Sequence, residues 1–584
     1  MKKRKGQGGD KHVSPKKQLK RQHNEAETLK DPPRCSKRGI QQDENYREFM
    51  GWITDGGLRC AYAMYHGTPV NRYRKKVDKE MKRHVIIVGA GMAGLAAAYE
   101  LAQVGHEVTI LEAQYCVGGR VKTVREGFAE GLHCEGGAMR LPSNHYLTWH
   151  YLNLFDIETV PFQNYNGKGY LHLYGEKIRL DDWKNNNKKY CDKFWPGWDK
   201  NLTDEDKEKY KIDGILTYYT ATMRPVMDEL GTCPTEKTWH DWLCKWSKIS
   251  GEDFLRGCCV DKKCYPLTAW PEPAIEGLME STFMPTLKRN LATHLRGNLD
   301  TLQKEPMKTP KFGMDTLPKA FAKKNEKGWN IDVNLSKNIK FGIMVTTVEN
   351  FETVKKRKKV KVTGINRTTG QMEVTEADAV ILTLPLHILR QLDIPFSKEQ
   401  QNALSHIHCV AYTKIMLQCK TRFWQKDVGQ GGFSKMTTGQ LRYPDYESSG
   451  IDDDERGILS LFTSAESALT YGSQSKEMAI LSAVRDISKI HPEIKSEFEV
   501  GAVQAWHSDP IAQGAFAFLK PHEFINHMNL LTKPTETIYL AGDALSWTHT
   551  WIQGAIFSGL MQAYCFQSHL EDKCICAPVS LMLD

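Results

Sequence analysis

The sequence predicts an α/β (α+β) fold for this 584-residue chain: a discontinuous Rossmann-type nucleotide-binding domain, a mixed-sheet domain and a helical domain. Three observations predict it. The stretch "HVIIVGAGMAGLAAAYELAQVGHEVTILE" sets strand, glycine turn, helix, strand and acid in order over residues 84–112. Far downstream, "IYLAGD" at 538–543 is a second buried strand ending in a glycine–acid pair. Between them lie a helical, aromatic-rich stretch at about 182–305 and an alternating apolar–polar stretch at about 340–385. A chain of this length exceeds one core and divides into two or three lobes.

In chain order, the N-terminus is basic. Residues 1–30 hold ten Lys/Arg and three Asp/Glu, so most of the net charge of +9 sits there. The "KKRK" run at 2–5 has the composition of a nuclear address or polyanion contact, but a disordered, solvated arm is the preferred reading, and no nucleic-acid partner is expected. The arm lacks an apolar stretch, so neither a secretory signal nor a membrane span is expected, and mean hydropathy is −0.50. The segment after it, including "ENYREFMGWITDGGL", reads as helix and loop.

The run His84 to Val88 is short and β-branched, as a buried parallel strand requires. Gly89, Gly91 and Gly94 then give G-x-G-x-x-G before an alanine-rich helix. The first glycine permits the turn, the second admits pyrophosphate to the backbone, and the third lets the helix pack on the strand. Phosphate would meet the helix N-terminus at Met92 and Ala93. Glu112, ending the next strand, suits a ribose without a 2′-phosphate. A lone glycine motif is weak evidence; the complete ordered unit is its confirming context.

Past Glu112 stands Gly118-Gly119-Arg120-x-x-Thr123. A nicotinamide dinucleotide needs no second glycine pair there, whereas the longer FAD does. On these residues the chain resembles the flavin amine oxidase superfamily, and FAD is the expected cofactor. Further stretches, "EGGAMRLPSNH", "FGMDTLP", "YTKIMLQCKTRFW" and "AGD" followed by "WIQGA", narrow the resemblance to animal-type L-amino-acid oxidases over roughly residues 40–570.

The resemblance implies site residues. Arg140 would grip the substrate carboxylate in a bidentate pair, although from the residues alone the reading as a structural arginine stands ahead. Tyr443 would share that carboxylate, the Thr550 carbonyl would receive the amine, and Trp551 would wall the cavity. Thr550 departs from a position often occupied by glycine. Lys414 would hold a water near the flavin; without the resemblance it is an ordinary strand lysine. Cofactor contacts would come from Gly89, Gly91, Met92, Ala93, Gly94, Glu112, Ala113, Gly119, Arg120, Gly137, Ala138, Met139, Arg140, Val345, Gly542, Asp543, Trp551 and Ile552. The stripe Trp239, Trp242 and Trp246 reads as core rather than as a binding cage.

The implied division is an arm at 1–40, a helical and loop segment at 41–83, and a nucleotide domain at 84–150, 306–395 and 501–570. A substrate-binding domain takes 151–181 and 396–500, a helical domain 182–305, and a tail 571–584. The implied reaction is oxidative deamination of an L-amino acid by dioxygen. An amino-acid 2-monooxygenase, a polyamine or histone-lysine amine oxidase, and a flavin-binding interaction protein are the competitors. Fifteen scattered cysteines lack zinc-ligand spacing, so no metal is expected. Cys419 matches a bridged cysteine of secreted relatives, but "EIKSEFEVGAVQAW" offers no partner, which favours an intracellular protein. The sequons at Asn201, Asn334 and Asn366 leave the compartment open. A homodimer is the default expectation.

Overall fold

The computed structural model describes residues 77–143, 145–229, 236–258, 265–282, 287–295, 307–323, 333–444, 455–546 and 548–570. The basic arm, the "ENYREFMGWITDGGL" stretch and the tail at 571–584 lie outside the described residues.

The nucleotide-binding half is a five-stranded parallel sheet in the order Ile339–Phe341, Glu107–Glu112, His84–Val88, Ala379–Leu382, Ile538–Leu540. Its centre is apolar because both faces are covered: Val85, Ile86, Ile87, Val380 and Ile381 are fully buried. Two apolar helices, Met92–Gln103 and Ile552–Leu570, pack against each other beside it. Their contact needs a glycine, since a Cβ on Gly559 would stand 2.2 Å from the Ala93 carbonyl oxygen. Three stretches of chain therefore build one sheet.

The alternating stretch forms the expected antiparallel meander, Ile343–Glu352, Lys358–Asn366 and Met372–Ala377. Lysines around its "KKRKK" turn are matched within the chain, Lys358 to Glu536 at 2.9 Å and Lys361 to Glu349 at 2.6 Å.

A seven-stranded sheet follows the order Phe498–Ala505, Tyr412–Cys419, Gly457–Ser464, Gly439–Arg442, Phe433–Met436, Tyr170–Leu173, Glu176–Arg179. It is antiparallel except where Phe433–Met436 meets Tyr170–Leu173, so it is mixed. Two boundaries differ from expectation. Phe498–Ala505 pairs whole with Tyr412–Cys419, carrying this sheet past the break expected at 500. Met307–Pro310 pairs with Leu141–Pro142 and Thr159–Phe162 and not with the nucleotide sheet.

The helical stretch includes Ile215–Asp228, Glu236–Trp246 and Glu272–Ser281. Trp242 and Trp246 are buried and their indole N–H groups donate to the Val226 carbonyl and Glu229, as packing residues do. The side chain of Trp239 lies outside what is described. Cys419 is buried with a free thiol, and none of the described helices is long and apolar enough to cross a membrane.

Candidate active site

The dinucleotide end is built by close approach. A Cβ on Gly94 would stand 2.0 Å from the Gly89 carbonyl oxygen, so only glycine lets the helix start this near the strand. A Cβ on Gly91 would meet nothing within 4 Å, which leaves room for a phosphate there. No side chain caps the helix's first turn at Met92 and Ala93, so its N–H groups suit an anion. Glu112 is buried at the end of its strand, accepting from the Ala90 N–H at 2.6 Å and the Gln114 N–H at 2.8 Å. Burial raises its pKa and these backbone donors oppose the rise. Ala113 follows and accepts from Arg367, and Phe341, which pairs with Glu112, leads into the strand carrying buried Val345. This cradle fits an adenosine diphosphate moiety.

The two glycine motifs meet at a charge pair. Arg120, from the Gly118-Gly119-Arg120 turn, donates to Asp543 at 2.5 Å and to the Ala515 carbonyl at 2.8 Å. Burial works against the Arg120 charge, and Asp543 more than restores it, so its pKa is raised. Asp543 also accepts the Thr550 N–H at 3.2 Å. Gly542-Asp543 thus fixes the segment leading to Trp551 and Ile552, where the long helix begins.

The other end is the face of the seven-stranded sheet that carries Lys414. Lys414 is 3% exposed and donates to the carbonyls of Glu135 at 2.9 Å and Gly137 at 2.6 Å, with the Met139 sulfur at 3.8 Å. The loop lies this close because Gly137 has no side chain: a Cβ there would stand 1.8 Å from the Arg120 carbonyl oxygen. The Ala138 N–H donates to that same carbonyl, tying the loop to the Arg120 turn. Burial lowers the Lys414 pKa well below 10.5, and the neighbouring Cys134 and Glu135 restore part of it.

Arg140 follows on the same loop. It donates to Asn164, and its guanidinium sits 5.8 Å from the Trp551 ring centre. Trp551 is held edge to face by His145 at 4.9 Å. Thr550, one residue before, has φ +75, the left-handed region where a β-branched side chain is strained and glycine is not. Arg140, Thr550 and Trp551 are therefore assembled at one place, close to the Arg120–Asp543 pair.

Tyr443 is not brought there. Sheet register puts Lys414 opposite Phe462 and Phe462 opposite Gln440, so Gln440 and Arg442 share the Lys414 face. Alternation sends Tyr443 to the other face. Its hydroxyl bonds Ser434 at 2.6 Å and His491 at 2.8 Å inside a separate apolar core. Arg442 instead donates to Asn164, the acceptor that Arg140 also uses. The tyrosine on the correct face is Tyr412, two residues before Lys414 and packed on Phe462 at 4.5 Å. Burial raises the pKa of its hydroxyl, opposed by the charges of Arg140, Arg442 and Arg289.

Sequence reasoning missed Tyr412, Arg442, Asn164 and Arg289. Strand alternation from Lys414 points to Tyr412; the others carry no local signal.

A strand–glycine–helix unit, a ribose acid and a second glycine turn joined to a sheet face with a buried lysine define a flavin-dinucleotide oxidoreductase. Residues 92–220 and 277–565 match the family model of flavin containing amine oxidoreductases, and the chain belongs to that family. Its flavin is FAD, the dinucleotide form that the cradle suits. YobN of Bacillus subtilis (strain 168), provisionally named an L-amino-acid oxidase, is 27% identical over 499 residues, 82% of this chain and 94% of that one. The L-amino-acid oxidase of Echis ocellatus is 27% identical over 504 residues, 82% and 88% of the two chains. In structure the chain is similar to wild-type putrescine oxidase, with TM-score 0.60 at 19% identity over 83% of this chain and 99% of that one; this likeness is one of fold.

Proposed function

We propose that this chain is an L-amino-acid oxidase: an L-amino acid, dioxygen and water become a 2-oxo acid, ammonia and hydrogen peroxide. The observation that carries the reading is Arg140 set beside Trp551 on the face that carries Lys414. A guanidinium there takes a carboxylate through two parallel bonds, a feature a plain amine does not need. Bound FAD would accept the Cα hydrogen with its electron pair and pass two electrons to dioxygen.

The chain's own residues orient and exclude. Arg140 fixes the carboxylate, with Arg442 as its neighbour through Asn164. The Thr550 carbonyl accepts from the amine, and its unusual φ aims that carbonyl. Trp551 and Tyr412 wall the cleft and shed water. Lys414, whose charge burial disfavours, holds a water in place beside the two carbonyls it already bonds. Orientation of this kind lowers a barrier by up to roughly 7–11 kcal/mol. The imino acid that leaves the cleft hydrolyses to the 2-oxo acid and ammonia. A homodimer belongs to the same proposal, and light scattering of the holoprotein tests it.

The test is anaerobic mixing of the yellow holoprotein with L-amino acids, D-amino acids and amines, followed by air and a peroxide assay. Bleaching by L-amino acids alone, lost in Arg140→Ala, is the expected result. Bleaching by amines that survives Arg140→Ala would overturn it. Release of carbon dioxide with an amide product would make the chain a monooxygenase.

A further inference from the structure

Arg289 is a buried charge whose Nε has no hydrogen-bond partner among the described residues; the residue is 3% exposed. Its contacts are aromatic: the guanidinium lies 5.2 Å from the Phe516 ring centre and 5.4 Å from that of Phe518. Burial lowers its pKa to about 10, against an ordinary 12.5. Two rings are weak compensation for a buried cation, which ordinarily requires a carboxylate or several acceptors.

Arg289 also stands at the end of a path that starts in the active site. Lys414 Nζ lies 4.9 Å from the Phe462 ring centre, Phe462 lies 4.5 Å from Tyr412, and Tyr412 lies 5.5 Å from Phe516. Phe516 is the ring on which Arg289 rests. The charges acting on the Tyr412 hydroxyl are those of Arg140, Arg442 and Arg289, with no acid among them. One α-carboxylate matches Arg140 and leaves Arg289 unmatched.

Resting on the oxidase reading above, we propose that Arg289 recognises the far end of the substrate. It receives a second carboxylate, which makes the preferred substrate an acidic L-amino acid. In such a substrate one carboxylate meets Arg140, the other meets Arg289, and the apolar stem runs along Tyr412 and Phe516. A planar guanidinium offers a carboxylate two parallel hydrogen bonds, and the rings of Phe516 and Phe518 beside it limit the positions it can take. The same arrangement disfavours lysine and arginine as substrates, whose side-chain cation would face a cation.

The experiment uses the FAD-loaded protein. Flavin reduction is measured anaerobically with L-glutamate and L-aspartate against the isosteric L-glutamine and L-asparagine, with L-leucine alongside, in wild type, Arg289→Met and Arg289→Lys. Wild type should favour an acid over its amide by roughly a hundredfold or more, since a site built for a group rejects the analogue lacking it. Arg289→Met should remove that preference through KM for the acids while L-leucine changes by less than about threefold, and Arg289→Lys should retain part of it. Equilibrium dialysis with glutarate, a dicarboxylate without an amine, gives an activity-free readout: wild type binds it and Arg289→Met does not. Arg289→Met should also melt no lower than wild type in buffer alone, because it removes an unpaired buried charge. Bleaching by L-leucine or the amides with no preference for the acids overturns this inference and leaves the oxidase reading standing. Bleaching by no L-amino acid overturns both.

Discussion

Replacing Tyr443 with phenylalanine separates a structural tyrosine from a substrate-binding one. Its hydroxyl lies in a core behind the sheet, bonded to Ser434 at 2.6 Å and His491 at 2.8 Å. Ser434 keeps a second partner, the Tyr170 N–H at 2.8 Å, so the variant strands chiefly the imidazole nitrogen of His491. Losing the Ser434 bond costs roughly 0.5–1.5 kcal/mol and orphaning the imidazole roughly 1–3, so Tyr443→Phe should destabilise the fold by about 1.5–4.5 kcal/mol. On this placement a carboxylate held by Arg140 would not reach this hydroxyl, so KM and the bleaching rate should be unchanged where the protein is folded. Arg442→Met is the contrast: it touches the Asn164 that Arg140 uses, and KM should rise with little change in stability. Urea unfolding followed by tryptophan emission, with steady-state peroxide assays on both variants, gives the two quantities. A tenfold rise in KM for Tyr443→Phe at unchanged stability would refute the face assignment and restore this tyrosine to the site.

Three further outcomes follow from the same structure. Burial lowers the His491 pKa from 6.5 to about 4, so the unfolded chain takes up a proton between these values before the fold does. Stability should therefore fall as pH drops from about 6.5 towards 4; His491→Gln should flatten that slope in melts taken across the window, and an unchanged slope would count against it. Asp543→Asn leaves Arg120, which is partly exposed, without its charge partner. The expected loss is about 1–3 kcal/mol together with weaker FAD retention, and a variant as yellow and as stable as wild type after desalting would be evidence against the pair's role. Thr550→Gly removes a strained φ of +75 and should stabilise the chain by about 1 kcal/mol, read by urea unfolding; a lower midpoint would show the threonine is not strained.

The nucleotide half was legible because its signal is local. Strand, glycines, helix, strand and acid fall within residues 84–112, and each has one physical job. Lys414, Arg140 and Trp551 were singled out through family resemblance, and the fold does bring Arg140 and Trp551 together. Tyr443 shows where that route fails. A one-residue change of phase moves a side chain to the opposite face of a sheet, and in "QLRYPDY" nothing local marks which residue faces in. The register to Lys414 through Phe462 fixes it, and register is set by strands far apart in sequence. The Arg120–Asp543 pair joins residues 423 positions apart, beyond any motif spacing. Arg289 is harder still. In "TLKRNL" it is an ordinary basic residue, and what makes it unusual is a burial in space that leaves its Nε without a partner among the described residues.

The chain is similar both to proteins named L-amino-acid oxidase and, in fold, to a putrescine oxidase, so charge at the site and not fold separates the two readings. The likeness to putrescine oxidase is therefore neutral on substrate. In this chain Tyr412 is acted on by three arginines, and Lys414 lies behind it on the same strand. A diamine brought to within about 6 Å of a single guanidinium would lose roughly 3 kcal/mol at an effective dielectric near 20, about a hundredfold in affinity. A carboxylate at that distance gains as much, and more when two parallel hydrogen bonds form. Amines must overcome that field wherever they sit along the Tyr412 wall, whereas an amino acid uses it at one end and an acidic amino acid at both. Raising ionic strength should leave this preference nearly intact, because Arg289 and Arg442 are buried and salt screens buried pairs weakly. A preference that collapses in salt would place substrate selection at the surface instead.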